Sequence, residues 1–447
     1  MRVKVTCSHW FPSLASSQLN KSVYHAGSSS PSSCWPRLQR WSRHASDAQS
    51  FRSRHGTIKV NLSAKHTVGV AQSRGERPYQ EDTYAVASVN IPQHALKRNV
   101  VQSKEGAGWN NETLEGYDGE MQDKISPERR RQVAMFGVFD GQVLLNNKTH
   151  GGGQVSKYLS HNLAQLLEQC KVEDIPIEID KYRKQGGYLR RYRGGPLERF
   201  HAKSGELPDQ KTLSLDEMCV LMFLQADNAV LADESTGKAG SVATVALVHS
   251  LDLPFSMPFY ASQLISLTIA HLGDTRAILA STSSGRARAL TESHHPDSRI
   301  ESERLRQSGT GIVTDSFGEM RWGGTLANTR GIGDREFKTL GVIGEPVITK
   351  MVLKGEEWAF LVLVSDGICD AMSDQEIVDL CRGVKDPTKA AQKIVGFAED
   401  VGGEDNMTAI VVPLPGWGKM GGIDSSASRR EYRLNQNSGA SSRQKRM

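Results

Sequence analysis

From residue 58 onward, apolar positions fall into two rhythms. Short β-branched or continuous apolar runs occupy 67–70, 84–89, 134–139, 242–248, 264–272, 277–279, 360–364 and 408–412, and each predicts a strand. Apolar residues three and four apart predict helices over 154–169, 215–232, 299–307, 374–380 and 388–401. Ser373 and the Asp386-Pro387 pair stand where helix starts are expected, because a short polar side chain caps free N–H groups and proline fits the first turn. Strands arrive singly and in hairpin-like pairs, with long helices between. This order predicts an α+β fold of mainly antiparallel sheets packed by helices, not a regular βαβ alternation.

Three polar stretches interrupt the rhythm. Residues 92–132 are charged and glycine-rich, and 174–214 carry a basic cluster at Arg190, Arg191 and Arg193; both read as surface insertions. The basic cluster fits either a solvated loop or a docking point for an acidic partner. The tail 416–447 is rich in Gly, Ser and Arg and reads as disordered. No run approaches the ~20 apolar residues of a bilayer span. The six cysteines include no Cys-x-x-Cys pair, which argues against a zinc ribbon and fits a reducing compartment.

The net charge of +5 divides unevenly: +7 in residues 1–56, +5 in 416–447, and −7 in the body 57–415. An acidic body argues against nucleic acid as the main partner. Residues 1–56 hold 14 serines and no acidic residue before Asp47. Arg37, Arg40 and Arg43 recur beside Trp35, Leu38 and Trp41, so charge and apolar bulk would fall on neighbouring helical stripes. An arginine- and serine-rich, acid-poor start is the composition of a mitochondrial transit peptide; the plainer alternative is a disordered basic tail.

Five acidic motifs stand beside the strands. Arg77-Pro78-Tyr79-Gln80-Glu81-Asp82 precedes one and Phe139-Asp140-Gly141 ends another. Gly273-Asp274-Thr275-Arg276 follows a third, Ser365-Asp366-Gly367 ends a fourth, and Glu404-Asp405-Asn406 precedes the last. Singly, Asp-Gly is a common turn. Together, carboxylates converging from stiff strand ends suit hard divalent cations such as Mg²⁺ and Mn²⁺, which take oxygen ligands. Glycine after Asp140 and Asp366 leaves room for backbone or water to approach an ion.

The stretches RPYQED, AMFGVFDG, GSVATVALV, AHLGDTRAILA, LANTRGIGD, LVLVSDGICDAMSDQE and GGEDNMTAIVV occur in that order between about residues 65 and 414. In that order they resemble the metal-dependent protein serine/threonine phosphatase family, type 2C. The resemblance implies a four-layer α-β-β-α sandwich of two mainly antiparallel sheets flanked by helices, with the metal site at one end of the sheets. It implies hydrolysis of phosphoserine and phosphothreonine in proteins by a metal-bound hydroxide at a binuclear Mg²⁺ or Mn²⁺ site, without a phosphoenzyme. By the matching motifs, Asp140 bridges two ions, Glu81 and the Gly141 carbonyl complete one side, and Asp366 and Asp405 hold the other. Asp274 matches an aspartate linked to a weaker third ion, Asp82 one that orients metal-bound water, and Arg77 the arginine that grips the phosphate. These roles cohere, because a metal pair acidifies water and a guanidinium fork matches a phosphate. Read by itself, Arg77 also fits a surface salt bridge. Cys369 and Cys381 lie in no phosphate cradle and read as packing, and His294 and His295 read as loop residues.

With the basic start, the resemblance implies a mitochondrial member, most simply in the matrix. Mitochondrial members are associated with dephosphorylating the pyruvate dehydrogenase complex. The expected organisation is a transit peptide over 1–56, a phosphatase domain over 57–415 and a basic tail over 416–447. A monomer acting on phosphorylated proteins is expected.

The family pattern breaks once. Phe139-Asp140-Gly141 should run directly into His-Gly-Gly, but residues 142–149 intervene before His150-Gly151-Gly152. His150 matches the family histidine that protonates the leaving alkoxide, and a general acid must come within about 3 Å of its oxygen. The insertion is a loop, a displacement of His150 that weakens catalysis, or a splice or gene-model variant. The second of these would leave a phosphoprotein-binding regulatory module.

Overall fold

The structure of the protein, a computed structural model, describes residues 46–53, 56–104, 130–143, 152–200, 212–236, 238–252, 257–306, 312–314, 320–324 and 326–439. The chain divides into units 1–39 and 40–447; the first lies outside the described residues, and only the second is described below. The first half runs β1 (Ala48–Ser53), β2 (Gly56–Asn61), β3 (Gly69–Ser73), β4 (Thr83–Pro92), α1 (Gln93–Lys104), β5 (Arg130–Val143), α2 (Gly152–Gln169), α3 (Asp174–Lys184) and α4 (Leu215–Ala232). Then come β6 (Ala239–Ser250), β7 (Leu264–Leu272), β8 (Arg276–Ser281), β9 (Ala287–Ala289), α5 (Arg299–Leu305), β10 (Ile312–Thr314), β11 (Met320–Trp322), β12 (Ile332–Gly333) and α6 (Arg335–Lys338). The last part holds β13 (Val347–Lys354), β14 (Trp358–Val364), α7 (Asp366–Cys369), α8 (Asp374–Leu380), α9 (Pro387–Asp400), β15 (Met407–Pro413) and α10 (Ala427–Gly439).

Two antiparallel sheets form the centre. One has the order β13-β7-β6-β5-β4, with β12 paired to the start of β6; the other is β3-β15-β14-β8-β9. Their facing sides bury Ala134, Phe136 and Val138 of β5 against Leu361 and Leu363 of β14 and Ile410 and Val412 of β15. The alternate residues Val133 and Met135 face outward into a second core with α2, α3 and α4. Val362 and Val364 likewise face α7, α8 and α9. Side chains that alternate across a strand produce these layers directly, and the result is the expected α-β-β-α sandwich. Ser373 closes a capping box with Glu376, and the Asp386 side chain accepts from the Thr388 N–H with Pro387 in the first turn, as those residues predict. No described helix is long and apolar enough to cross a membrane.

The structure differs from the polar-stretch reading in four places. Residues 174–200 are not a surface insertion: Ile175, Ile179 and Tyr182 of α3 are fully buried, as are Leu189 and Leu197 beyond it. Their helical spacing is masked in sequence by surrounding charge. Residues 201–211 lie outside the described residues. The 92–132 stretch begins as α1, with Ala95 and Leu96 buried; 105–129 lie outside the described residues. The tail is not featureless, because 416–439 end in α10. Asp379 accepts from the N–H groups of Ser425 and Ser426, and Arg433 pairs with Glu376 at 3.3 Å. Buried carboxylates on α8 thus give the basic segment something to order against, which composition cannot reveal. Finally, β1 pairs with β2 and buries Gln49 and Phe51, so residues 46–53, read from sequence as part of the segment 1–56, join the folded unit.

Candidate active site

Strand register brings the acidic motifs to one end of the sandwich. Thr83 at the start of β4 pairs with Phe139 near the end of β5, which sets Asp82 and Asp140 side by side. In the second sheet Val364 pairs with both Arg276 and Ala409. The end of β14, the start of β8 and the start of β15 therefore share one edge, carrying Asp366, Asp274 and Asp405.

Asp140, Asp274 and Asp366 each offer a carboxylate oxygen, and these oxygens lie within 4.8 Å of one another. Glu81 and Asp405 flank this group rather than join it. Asp274, expected to serve a weaker third ion, sits in this group with Asp140 and Asp366. Burial, followed by the charges of Asp366, Asp82 and Asp274, drives the Asp140 pKa well above the usual carboxylate range. Burial and Asp274 do the same to Asp366, and burial raises Asp274. Asp82 is pushed up to about 6, chiefly by burial, while the Thr408 hydroxyl donates to its Oδ2 at 2.8 Å. Asp82 Oδ1, Asp140 Oδ2 and Asp274 Oδ1 are buried without a hydrogen-bond partner. Unsatisfied, mutually repelling carboxylate oxygens are what a hard cation would satisfy, so the residues present fit Mg²⁺ or Mn²⁺.

Arg77 stands at the rim, more than half exposed, with its Nη2 2.6 Å from Asp405 Oδ2. The salt-bridge reading of Arg77 therefore holds in this state, with a site carboxylate as the partner. His150 lies outside the described residues, as do 144–149. Before them, Gln142 and Val143 continue β5 and pair with Gly240 and Ala239, so Asp140 and Gly141 keep regular strand geometry. After them, α2 packs on the Glu81 backbone: the Ser156 hydroxyl donates to the Glu81 carbonyl, and a Cβ at Gly153 would sit 3.6 Å from Glu81 Cα.

His294 and His295 are loop residues, as read. His294 stacks on His271 at 4.8 Å and accepts from the Gly273 N–H through Nδ1; His295 pairs with Asp297. Burial pushes the Cys381 thiol up to about 12 and raises Cys369 as well, in keeping with packing roles.

Sequence reasoning missed the residues that hold the ligands in place. Asn328 donates to Asp274 Oδ2 at 2.7 Å, and its loop is anchored by Glu301. Glu301 accepts from Thr329 Oγ1 and pairs with Arg330 and Arg304, both at 2.7 Å. Burial works to raise the Glu301 pKa, but Arg330 and Arg304 outweigh it and hold it at about 2. A depressed carboxylate contributes stability above its unfolded pKa and loses it as pH falls through the folded one, here between about 4.5 and about 2. Glu301→Gln is expected to cost about 3–5 kcal/mol at pH 7, because the buried Arg330 and the partly buried Arg304 lose their counter-charge. Urea unfolding checks this; a loss below about 1 kcal/mol would contradict the anchoring role. The signal available in sequence was the run Asn328-Thr329-Arg330, whose partner on α5 lies far away in the chain.

The chain is similar to known proteins. A family model described as "Protein phosphatase 2C" matches residues 179–407. Protein phosphatase 2C homolog 4 of Schizosaccharomyces pombe is 34% identical over 369 residues, covering 81% of this chain and 84% of that protein. The mitochondrial protein phosphatase 1K of Xenopus laevis is 36% identical over 211 residues, covering 46% of this chain and 52% of that protein. A crystal structure of a Toxoplasma gondii serine-threonine phosphatase 2C matches with a TM-score of 0.48 at 18% identity, over 83% of this chain and 97% of that one. With a matching family model over half the chain and a relative matched along most of its length, this chain belongs to the protein phosphatase 2C family of metal-dependent protein serine/threonine phosphatases.

Proposed function

We propose that the protein removes phosphate from phosphoserine and phosphothreonine side chains at a site for two Mg²⁺ or Mn²⁺ ions. Asp140, Asp366, Asp405, Glu81 and the Gly141 carbonyl would hold the ions, with Asp274 available to a further one. The observation that carries this reading is the group of three carboxylates within 4.8 Å, two of whose oxygens are buried and unpartnered. Ions bound there supply Lewis acidity, which acidifies water and offsets the negative charge of the phosphate. Arg77 exchanges its exposed bond to Asp405 for the planar, charge-assisted grip a phosphate offers. Asp82, oriented by Thr408, accepts a hydrogen bond from the attacking water and turns it toward phosphorus. His150 protonates the departing serine or threonine oxygen. The direct test is hydrolysis of a phosphothreonine peptide and of p-nitrophenyl phosphate with Mn²⁺ and with chelator. Turnover that persists in chelator would overturn the metal reading.

We also propose a mitochondrial, matrix location and a monomeric enzyme, with the pyruvate dehydrogenase complex as the substrate to try first. The acid-poor, Arg- and Ser-rich start and the similarity to a mitochondrial relative support the address. Since Ser46 onward packs with the body, import should remove no more than the first 45 or so residues. A mature N-terminus at Met1, or a fusion of this segment that stays in the cytosol, would refute the address.

A further inference from the structure

The two flanks of the site come from segments 325 residues apart in the chain, and one side chain joins them. Asn406 is 4% exposed. Its Oδ1 accepts from the Glu81 N–H at 2.6 Å, and its Nδ2 donates to the carbonyls of Arg74 at 2.9 Å and Tyr79 at 3.0 Å. Its own backbone N–H donates to Asp405 Oδ1 at 2.7 Å. One residue therefore bonds to both flanking carboxylate residues and spans the loop that carries Arg77.

The packing leaves little slack around this joint. Glu76 N–H donates to the Glu404 carbonyl at 2.9 Å, and a Cβ at Gly75 would meet the Asp405 carbonyl at 2.3 Å. The loops are pressed together, yet those contacts lie at one end of the 74–81 turn. The Asn406 amide reaches both ends, Arg74 on one side and Tyr79 with Glu81 on the other, and from inside the turn Gln80 Nε2 donates to the Ser73 carbonyl at 3.1 Å. An amide is suited to this because it offers one acceptor and two donors; aspartate lacks the donors, and alanine lacks everything. Oxygen toward Glu81 and nitrogen toward the two carbonyls is the orientation that satisfies all three bonds.

We propose that Asn406 is a positioning residue: its amide sets Glu81 and the Arg77 loop against Asp405, and through them the site's hold on divalent cation and on phosphate. This rests on the ligand reading given above. Partners behind metal ligands typically change metal affinity or activity by about 10–100-fold when removed.

The test compares wild type, Asn406→Ala and Asn406→Asp by calorimetric Mn²⁺ titration and by KM and kcat for p-nitrophenyl phosphate. Asn406→Ala is expected to weaken Mn²⁺ binding by about 10–100-fold. At saturating Mn²⁺ its kcat should recover toward wild type while KM stays raised, because the Arg77 loop remains untied. Asn406→Asp keeps the acceptor for Glu81, so its Mn²⁺ affinity should lie closer to wild type, but it loses both donors and should share the raised KM. Wild-type Mn²⁺ affinity and KM in Asn406→Ala would overturn the inference while leaving the ligand reading intact. If wild type itself binds no Mn²⁺, the ligand reading falls and this inference with it. Should Asn406→Ala show no cooperative unfolding, Asn406→Asp decides the matter through its KM, and an unchanged KM there overturns the proposal.

Discussion

Asp366→Asn and Asp140→Asn are each expected to remove most Mn²⁺-dependent turnover, by about 10²–10³-fold or more, because the charge stabilisation a metal site supplies is worth several kcal/mol. The same substitutions should stabilise the metal-free protein. Burial and neighbouring carboxylates raise both folded pKa values well above 3.8. A carboxylate whose pKa is raised on folding favours the native state only while protonated. Its contribution is complete below the unfolded pKa and is lost as pH rises through the folded one. Above the unfolded pKa these raised values therefore count against the metal-free fold, and asparagine removes that penalty. Thermal unfolding with and without Mn²⁺ checks this. The variants should melt higher than wild type in chelator and respond less to added Mn²⁺. A variant with wild-type turnover at saturating Mn²⁺ would refute the ligand assignment.

Deleting residues 142–149 is expected to leave p-nitrophenyl phosphate turnover near wild type and to leave unchanged or raise turnover of a phosphoserine peptide. Any rise is bounded by the ~10²–10⁴-fold typical of general acid catalysis. The described residues on either side of 144–151 approach the adjacent Glu81 and Asp82. Asp82 lies beside Asp140 through the β4–β5 register, and Gly153 packs on Glu81. The cost of closing a connection between such flanks changes only slowly with its length, so a shorter one should be tolerated. Joining Gly141 directly to His150 leaves three peptide links to reach Gly152, which span up to ~11 Å. The cost is two ladder pairs at the end of β5, Gln142 with Gly240 and Val143 with Ala239. A poor leaving group such as a serine alkoxide needs the proton that an aryl oxide does not, so the two substrates separate a misplaced acid from a harmless loop. Loss of turnover on both substrates would mean that 142–149 supply part of the site.

Much of the molecule was legible from local pattern. The apolar runs at 134–139 and 360–364 predicted strands, and those strands turn one face to the central core and the other to helices. Ser373 and Asp386 marked helix starts that exist, since a cap depends on bonds to residues only two or three positions away. The acidic motifs were visible because each carboxylate lies within three residues of a strand end. The stretches misread as insertion and tail were judged by their charge. Their order depends on partners elsewhere, such as the α2 and α4 side chains that bury Ile175 and Ile179, or the α8 carboxylates that hold Ser426 and Arg433.

The sequence by itself determined where strands and helices fall and the identity of the acidic side chains, because side-chain periodicity and capping are set over a few residues. Only the tertiary structure decided that Asp274 belongs with Asp140 and Asp366, that Asp405 faces Arg77, and that Asn406, Asn328 and Glu301 hold the surrounding loops. It alone set the raised carboxylate pKa values as well. Those outcomes depend on burial and on distances between segments far apart in the chain. Hydrogen bonds and charge interactions of this kind act across a few ångströms of space, and no spacing along a sequence encodes them.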